Sequence, residues 1–257
     1  MSLPRFCIVA LCLCCATFSM AQDASLASSA PGWSASVNSG QTKTDFGIAK
    51  ERSMTLRSYT PFGSIAIEQL SLSRFGYTDS AIAVDAYPRL WQGAYANLRY
   101  QHAASPDLYP GKSWRAEIYQ NVGGGWELAA SHDYLGFNSN VKIDGLAVGK
   151  YWGNFYARLR HQRVTSDGSA GQGDRFMIRY YYEGDADHYV EANVSSGRSD
   201  DFSSAQLAGS RSDSRGLAWY HFVTRQWGLK ASVSQANDSA TAGGRERSLN
   251  VGLVYRW

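Results

Sequence analysis

The last ten residues of the chain alternate between polar and apolar side chains without interruption and end on an aromatic residue. Because successive side chains of a β-strand point to opposite faces, this pattern predicts a strand with one apolar and one polar face. The first face carries Leu249, Val251, Leu253, Tyr255 and Trp257, and the second carries Ser248, Asn250, Gly252, Val254 and Arg256. The apolar face of such a strand must contact other apolar groups, either in a protein core or in a lipid bilayer.

The beginning of the chain predicts a secretory signal peptide over residues 1–21. A basic residue is followed by an apolar run, and residues 19–21 read Ser-Met-Ala, which is the small-x-small form of a cleavage site. The run is shorter than the roughly 20 apolar residues that a membrane-spanning helix needs. We therefore expect cleavage before Gln22, a short polar segment over 22–32 and one domain over 33–257. All four cysteines lie in the signal peptide: Cys7, Cys12, Cys14 and Cys15.

Fourteen segments with a period of two follow one another through the rest of the chain, separated by clusters of turn-forming residues. We predict strands over residues 33–40, 48–59, 64–75, 78–86, 93–103, 113–122, 126–135, 141–151, 155–165, 174–183, 189–196, 215–224, 227–235 and 248–257. The alternation slips at Glu68 and Gln69, which suggests a β-bulge in the third strand. Loss of the third and fourth strands would leave twelve.

The lengths of the connections alternate. The short ones are 60–62, 88–91, 123–125, 152–154, 184–187 and 225–226, and the longer ones are 104–112, 166–173, 197–214 and 237–246. Short periplasmic turns that alternate with longer external loops are typical of barrels in the outer membrane. The sequence therefore predicts an all-β fold, an antiparallel transmembrane β-barrel of about 14 strands, with 12 as the alternative.

A soluble β-sandwich would also show alternating strands and regularly spaced turns. Aromatic residues favour the barrel, because they cluster at predicted strand ends, where they would form interfacial girdles. These residues are Trp33, Trp91, Trp114, Trp126, Tyr151, Trp152, Trp227, Tyr255 and Trp257. The alternative is that they pack the ends of an ordinary core. The net charge of +3 gives no support for a nucleic-acid partner, and we expect none.

Six sequence blocks follow one another along the predicted domain: DAYPRLW at 85–91, GAYANLRY at 93–100, SPDLYP at 105–110, GWELAAS at 125–131, GKYWGNFYARLR at 149–160 and RYYYEGDADHYV at 179–190. This order of blocks resembles the YaiO family of outer-membrane β-barrel proteins. The resemblance covers most of the domain and implies a barrel in the bacterial outer membrane. It carries no catalytic residues over to this chain.

If the apolar face of each strand meets lipid, a set of charged residues faces the lumen. We predict this set to be Arg57, Asp85, Arg99, Arg115, Glu117, Glu127, Asp133, Arg158, Arg160, Arg175, Arg179, Glu183, Glu191, Lys230 and Arg256. Arginine forks bind carboxylate or phosphate, and tyrosine rings stack on sugars. The candidate binding residues that line the lumen are Arg99, Arg115, Glu117, Arg158, Arg160, Arg175, Arg179, Tyr181 and Glu191. The alternative is that these charges pair across neighbouring strands and fill the lumen.

These features predict a porin-like transport or export component for a polysaccharide or a small polar solute. A closed-lumen surface or structural protein is one alternative, and a lipid-modifying hydrolase is another. No nucleophile motif or metal-spaced cluster is recognisable around the five histidines, which are His102, His132, His161, His188 and His221. We therefore predict no enzymatic activity, no cofactor and no metal.

The expected partners are outer-membrane lipid, lipopolysaccharide and the barrel-assembly machinery, which would recognise the C-terminal strand. The loop over 197–214 is a candidate for a constriction that folds into the lumen, and a mobile external loop is the alternative.

Overall fold

The computed structural model describes residues 32–45, 47–137, 140–166, 169–200, 210–238 and 244–257, which form one antiparallel sheet closed into a barrel. None of these residues forms a helix long and apolar enough to cross a membrane. The signal peptide predicted over 1–21, its cleavage before Gln22 and nearly all of the polar segment predicted over 22–32 lie outside the described residues and stay predictions.

The barrel contains fourteen strands, and each pairs with its neighbours in the sequence. They are β1 (Gly32–Thr44), β2 (Gly47–Thr60), β3 (Gly63–Arg74), β4 (Tyr77–Trp91), β5 (Ala94–Ala103), β6 (Lys112–Gly123), β7 (Trp126–Gly136), β8 (Asn140–Trp152), β9 (Phe155–Ser166), β10 (Ser169–Tyr181), β11 (His188–Asp200), β12 (Ser210–Phe222), β13 (Trp227–Asp238) and β14 (Gly244–Arg256). The predicted count of fourteen is confirmed, and the alternative of twelve is wrong.

The barrel closes where the first strand meets the last. The register of β1 with β14 runs from Ser34 opposite Arg256 to Lys43 opposite Arg247. At one end of this seam the backbone N–H of Trp33 donates to the carbonyl of Trp257 over 3.1 Å, and the N–H of Trp257 returns the bond over 3.0 Å. Closure pairs the backbone N–H and C=O groups of the two edge strands, which would otherwise lack hydrogen-bond partners in the membrane. We call this end of the barrel the terminal end and the opposite end the far end.

The outer face of the barrel is apolar along the middle of the strands. Met54, Ile82 and Leu146 are 61%, 62% and 68% exposed. Leu249, Val251 and Leu253 of β14 also point outward, as the pattern of the last ten residues predicts. Inward side chains include buried Arg57, Glu117 and other charged groups. This arrangement is the reverse of a soluble sandwich, in which apolar faces meet each other, and it fits a barrel surrounded by lipid.

The girdle of aromatic residues lies mainly at the terminal end. Its exposed, outward members there are Trp33, Trp91, Trp126, Trp152, Trp227 and Trp257, and exposed Trp114 lies at the far end. The assignment of Tyr151 to the girdle is wrong. Tyr151 shares the inward face of β8 with Gly149, and its ring centroid lies 4.2 Å from that of Tyr156 inside the barrel.

Several strands extend further than the sequence predicts. The predicted loop over 166–173 is almost absent, because β9 and β10 pair up to the contact of Ser166 with Ser169. The strands β11, β12, β13 and β14 likewise enter the predicted loops over 197–214 and 237–246. These extensions carry polar residues on both faces, so the alternation that marks a strand in the sequence is lost there.

The bulge predicted at Glu68 and Gln69 is wrong. β3 pairs with both neighbours in unbroken register. The slip in the pattern arises because Leu70 faces the lumen while Gln69 faces outward. The register instead shifts between Arg89 and Trp91, so that the residues predicted as a short connection over 88–91 belong to β4.

The two faces of one strand predict opposite tolerance to charge. Val233 lies outward and Ser234 inward in the middle of β13, and both are exposed. Val233→Arg should lower the free energy of unfolding by about 2–4 kcal/mol, because it places a cation in the hydrocarbon layer. Ser234→Arg, at the same depth, should change it by less than about 1 kcal/mol, because the lumen is polar. Urea unfolding in lipid vesicles measures both values, and equal losses would contradict the assigned faces.

Candidate functional site in the barrel interior

Charged residues line the inward face from β3 to β11, which we call the charged wall. Its first cluster joins three adjacent strands through Arg99 of β5. The Nη2 atom of Arg99 lies 2.7 Å from Oε2 of Glu68, and its Nη1 atom lies 3.3 Å from Oδ2 of Asp85. Asn97 donates from Nδ2 to the other oxygen of Asp85 over 2.8 Å. The arginine is thus held against the barrel wall by two carboxylates.

A second cluster joins β6, β7 and β9. Arg115 forms an ion pair with Asp133, and Arg158 forms one with Glu117. Arg160 places Nη2 3.3 Å from Oδ2 of Asp133, so that this carboxylate receives guanidinium groups from two strands. Glu117 is only 1% exposed. Each buried carboxylate in the cluster therefore has the charged partners that its removal from water requires.

Side chains of β9 pass over the inward face of β8 to contact residues of β7 and β6. Small residues in β8 leave the space for them. A Cβ atom at Gly145 would lie 2.9 Å from Nε of Arg160 and 2.6 Å from Oγ of Ser131, the hydroxyl that accepts a bond from Arg160 over 2.8 Å. At Gly149 it would lie 2.7 Å from the hydroxyl of Tyr156. The glycines of β8 leave a groove through which side chains of β9 reach β7 and β6.

Tyrosines hold a third carboxylate. Tyr95 and Tyr156 donate their hydroxyl hydrogens to Glu127 over 3.0 and 2.9 Å. The ring of Tyr95 stacks on Tyr119 with a centroid distance of 4.4 Å, and Tyr119 donates to Glu117 over 2.7 Å. The hydroxyls give these buried carboxylates hydrogen bonds, and the stacked rings shield them from water.

Inward aromatic residues encircle the terminal end of the lumen. Each lies within four residues of the terminal end of its strand: Tyr59, Tyr87, Tyr95, Tyr119, Tyr151, Tyr156, Tyr181, Tyr189, Tyr220 and Phe222. Cations lie over six of these rings; for example, Arg57 lies 5.2 Å from the centroid of Tyr87 and Arg256 lies 3.9 Å from that of Phe222. The barrel is therefore most filled by side chains near this end.

The charged wall ends at β10 and β11. Arg179 donates from Nη2 and Nε to one oxygen of Glu191, over 2.7 and 3.1 Å, and its guanidinium lies 4.0 Å from the ring centroid of Tyr189. Arg175 lies opposite Arg160 on β9 and Ser195 on β11. Within the described part of the chain, no hydrogen bond or ion pair joins the guanidinium of Arg175 to another residue. It stands at the edge of the charged wall.

The rest of the interior differs sharply in its chemistry. Most inward residues in the middle of β11 to β14, β1 and β2 are small and neutral, and we call them the smooth wall: Asn193, Ser195, Ser214, Gly216, Ser232, Ser234, Ser248, Asn250, Gly252, Ser36, Asn38, Gly40, Thr42, Ser53 and Thr55. The inward carboxylate of Glu51 on β2 lies opposite Gly40, at the border of the smooth wall. Side chains pair across strands, as Thr42 with Ser248 at 2.8 Å and Ser195 with Ser214 at 2.6 Å. These pairs keep the polar groups close to the backbone, so the smooth wall projects little into the lumen.

One loop folds into the far end of the lumen. Asp79, 2% exposed on the inward face of β4, accepts the backbone N–H groups of Asp107, Leu108 and Tyr109 at one oxygen, over 2.9, 2.6 and 2.9 Å. Tyr109 packs against an inward apolar cluster that includes Leu70. The constriction was predicted in 197–214, of which 201–209 lies outside the described residues. No sequence pattern predicts the Asp79 anchor, because its three donors are backbone N–H groups.

The structure places each of the nine candidate binding residues on the inward face of the barrel. Eight of them take part in the charged clusters or the aromatic ring, and Arg175 stands apart. Their role in binding a solute stays a prediction. Of the wider inward set, Glu183 is wrongly assigned, because β10 ends at Tyr181 and Glu183 lies exposed in the turn that follows.

A histidine cluster lies outside the lumen at the terminal end. Glu183, His188 and His221 place candidate metal-ligand atoms within 4.8 Å of one another. However, His188 already directs Nδ1 at Asp185 over 2.7 Å and Nε2 at the carbonyl of Phe222 over 3.1 Å. Both ring nitrogens thus face acceptors, and the arrangement fits a clasp between a turn and β12 better than a metal centre.

A closed antiparallel barrel with an apolar outer face, aromatic girdles and a charged interior defines an outer-membrane β-barrel protein. The chain belongs to the YaiO family, since the model of the YaiO membrane β-barrel domain matches residues 33–202. The resemblance seen in the sequence is thereby confirmed, and the protein is located in the bacterial outer membrane.

Solved structures with the same fold include the outer membrane protein Omp33 of Acinetobacter baumannii. It has a TM-score of 0.52 and 12% identity, and the match covers 88% of this chain and 99% of Omp33. OccK7 (OpdD) of Pseudomonas aeruginosa has a TM-score of 0.52 and 7% identity over 88% of this chain and 98% of its own. At such identities the similarity shows the fold alone. A search of curated protein sequences finds no match.

The groove in β8 predicts a specific coupling. Gly145→Val should lower the free energy of unfolding by about 2 kcal/mol, because it pushes Arg160 away from Ser131 and Asp133 and leaves buried groups without partners. If the loss acts through Arg160, then Gly145→Val should cost much less in an Arg160→Ala background, as a double-mutant cycle measures. Gly216→Ala, in the smooth wall, is the control and should cost less than about 1 kcal/mol. Additive losses at Gly145 and Arg160 would contradict the coupling.

The anchor of the inward loop predicts local opening. Asp79→Asn keeps the shape of the side chain but removes its charge, which weakens three hydrogen bonds to one oxygen. Amide hydrogen exchange at Asp107, Leu108 and Tyr109 should become at least about tenfold faster. Asp107→Asn removes a charge from the same loop without removing the acceptor, and it should leave the exchange nearly unchanged. Equal acceleration by both substitutions would show that net charge, not the anchor, holds the loop.

Proposed function

We propose that the protein is a porin-like channel that passes a small polar solute through the outer membrane along the smooth wall. The observation that carries this proposal is the uneven filling of the lumen. Most inward ion pairs, the tyrosines of β5 to β9 and the anchored loop lie on the β3 to β11 side, whereas the middle of the opposite side carries mainly small neutral residues. The Arg74–Glu246 pair lies at the far end, beyond this middle part. A path along the smooth wall needs no movement of the paired charges.

The proposal favours solutes with a negative charge. Arg175 borders the path, and its guanidinium is available to carboxylate or phosphate, which an arginine fork binds through two hydrogen bonds. Its neighbour Arg160 adds to the positive potential. The same path could carry a larger solute, a polysaccharide, during export. The inward tyrosines at the terminal end support this version of the proposal, since such rings stack on sugars.

A closed-lumen surface or structural protein is the second candidate function. It is favoured by the burial of the charged wall, in which Tyr87, Tyr119 and Glu117 are no more than 2% exposed. A barrel of about fourteen strands lies between small barrels filled by side chains and the wide porins, so strand number does not separate the two functions. Conductance separates them.

In planar lipid bilayers, the refolded protein is expected to form open channels of steady conductance. The double variant Ser36→Trp/Ser234→Trp should lower this conductance, because it places two indole rings beside the smooth wall. Val233→Trp puts the same ring on the lipid-facing side of β13 and should leave conductance unchanged. A wild-type protein that inserts, as judged by protease protection, but does not conduct would overturn the proposal in favour of the closed lumen.

The reversal potential in a salt gradient tests the role of Arg175. Arg175→Gln should reduce the preference for anions, while Arg175→Lys keeps the charge and should retain most of it. If all three proteins show the same selectivity, Arg175 does not border the permeation path.

A further inference from the structure

The outer face of the barrel carries an uneven distribution of charge at its far end. Six exposed cations lie on the adjoining strands β12 to β14, β1 and β2, and we call them the basic patch: Lys43, Lys50, Arg52, Arg215, Arg245 and Arg247. The parity of each strand places them outward. For example, Arg247 alternates with inward Ser248, and Arg52 alternates with inward Ser53.

The strand register brings these cations close together. Arg247 lies directly opposite Lys43 on β1, and through Gln235 of β13 it is in line with Arg215 on β12. Lys50 of β2 lies opposite Gln41, two residues from Lys43. Neighbouring strands are about 4.8 Å apart. Four strands thus present their cations within one continuous surface.

The basic patch has few carboxylates to balance it. In the described part of the chain no ion pair involves any of its six side chains, and the nearby outward carboxylates there are those of Asp45 and Asp213, since Glu51 and Glu246 face inward. Asp45 itself accepts the backbone N–H of Arg245 over 3.1 Å. Long cationic side chains that form no ion pair with the described residues can bind anions at the surface.

The opposite side of the far end shows the contrast. There His132 pairs with Asp144 over 2.5 Å, and His161 pairs with Asp174 over 2.8 Å. Asp144 also lies opposite Arg163 in the register of β8 and β9. On this side the outward carboxylates of Asp144 and Asp174 lie among the cations, so the excess of positive charge is greater at the basic patch, and we call this side the balanced side.

The depth of the basic patch matches the layer of lipid headgroups. On three strands the cation is followed, two residues nearer the terminal end, by a lipid-facing apolar residue: Arg247 by Leu249, Arg52 by Met54 and Arg215 by Leu217. Two residues span about 7 Å of strand, so the cations lie just beyond the apolar band. They face sideways into the leaflet and not into the solution above the barrel.

The longest described connection, 104–111, lies at the far end, and the terminal end has short turns, so the far end corresponds to the outer leaflet. We infer that the basic patch binds the phosphate groups of an anionic glycolipid of that leaflet. Arginine and lysine bind phosphate through charge-assisted hydrogen bonds, and several cations on one surface suit a headgroup with two phosphates. This inference concerns the outer face and does not depend on an open lumen.

Binding of bisphosphorylated lipid A to the refolded protein in zwitterionic detergent tests the inference. The patch variant is Lys43→Gln/Arg52→Gln/Arg247→Gln, and the control variant is Lys112→Gln/Lys142→Gln/Arg163→Gln, which removes the same charge from the balanced side. Native mass spectrometry of the protein–lipid complex should give a dissociation constant roughly tenfold to a hundredfold weaker for the patch variant. The control variant should bind within about threefold of the wild type.

Further measurements vary the phosphate groups of the lipid and the salt concentration. Dephosphorylated lipid A, with the same acyl chains, should bind the wild type weakly, and added salt should weaken binding of the bisphosphorylated form. Equal losses in the two variants, or equal binding of the dephosphorylated lipid, would overturn the inference. Displacement of lipid A by an equal concentration of phosphatidylglycerol would also overturn it, because the source of the phosphate would then be an ordinary phospholipid. Heat-modifiable migration in electrophoresis confirms that each variant is folded.

Discussion

The closure of the sheet between β1 and β14 is the constraint on which the rest of this structure depends. In a bilayer each backbone N–H and C=O group must find a partner within the protein, because no water is present to supply one. A sheet meets this condition only when its first and last strands pair. The register from Ser34 with Arg256 to Lys43 with Arg247 provides that pairing, and it fixes which side chains face lipid and which face the lumen.

Once the barrel is closed, the interior must accommodate many charges away from bulk water. This protein places most of them along the charged wall, where carboxylates such as Glu117 and Asp133 meet guanidinium groups from other strands. The glycines of β8 make this possible, because β9 side chains cross that strand to reach their partners. The cost of burying charge is thereby offset on one side, and the smooth wall carries few charged groups, with Glu51 at its border.

The outer face has an asymmetry of its own, and it coincides in part with the one inside. In their middle, the strands β12 to β14, β1 and β2 carry mainly small neutral residues inward, and near the far end they carry the basic patch outward. On β6 to β10, ion pairs such as Arg115 with Asp133 lie inward, and the pairs His132–Asp144 and His161–Asp174 lie outward. The two surfaces of one strand set are therefore specialised separately, which the alternation of side chains permits. Membership of the YaiO family fixes the architecture and the location of the protein; the proposals for solute and lipid rest on these two distributions.

The sequence by itself determined the fourteen strands, the inward position of nearly all the predicted charges and the lipid-facing residues of β14, because a period of two is a local property of the chain. The sequence did not predict strand extensions such as 197–200, because polar residues there remove the period of two. It also did not show that Tyr151, at the end of β8, faces the lumen, because no local pattern separates a girdle position from a lumen position at the end of a strand. Only the tertiary structure decided that Arg158 meets Glu117, that Asp79 holds a loop and that Arg175 has no ion pair with any residue that the structure describes. These contacts join strands that are distant in sequence, and their geometry depends on closure, register and the space above each glycine.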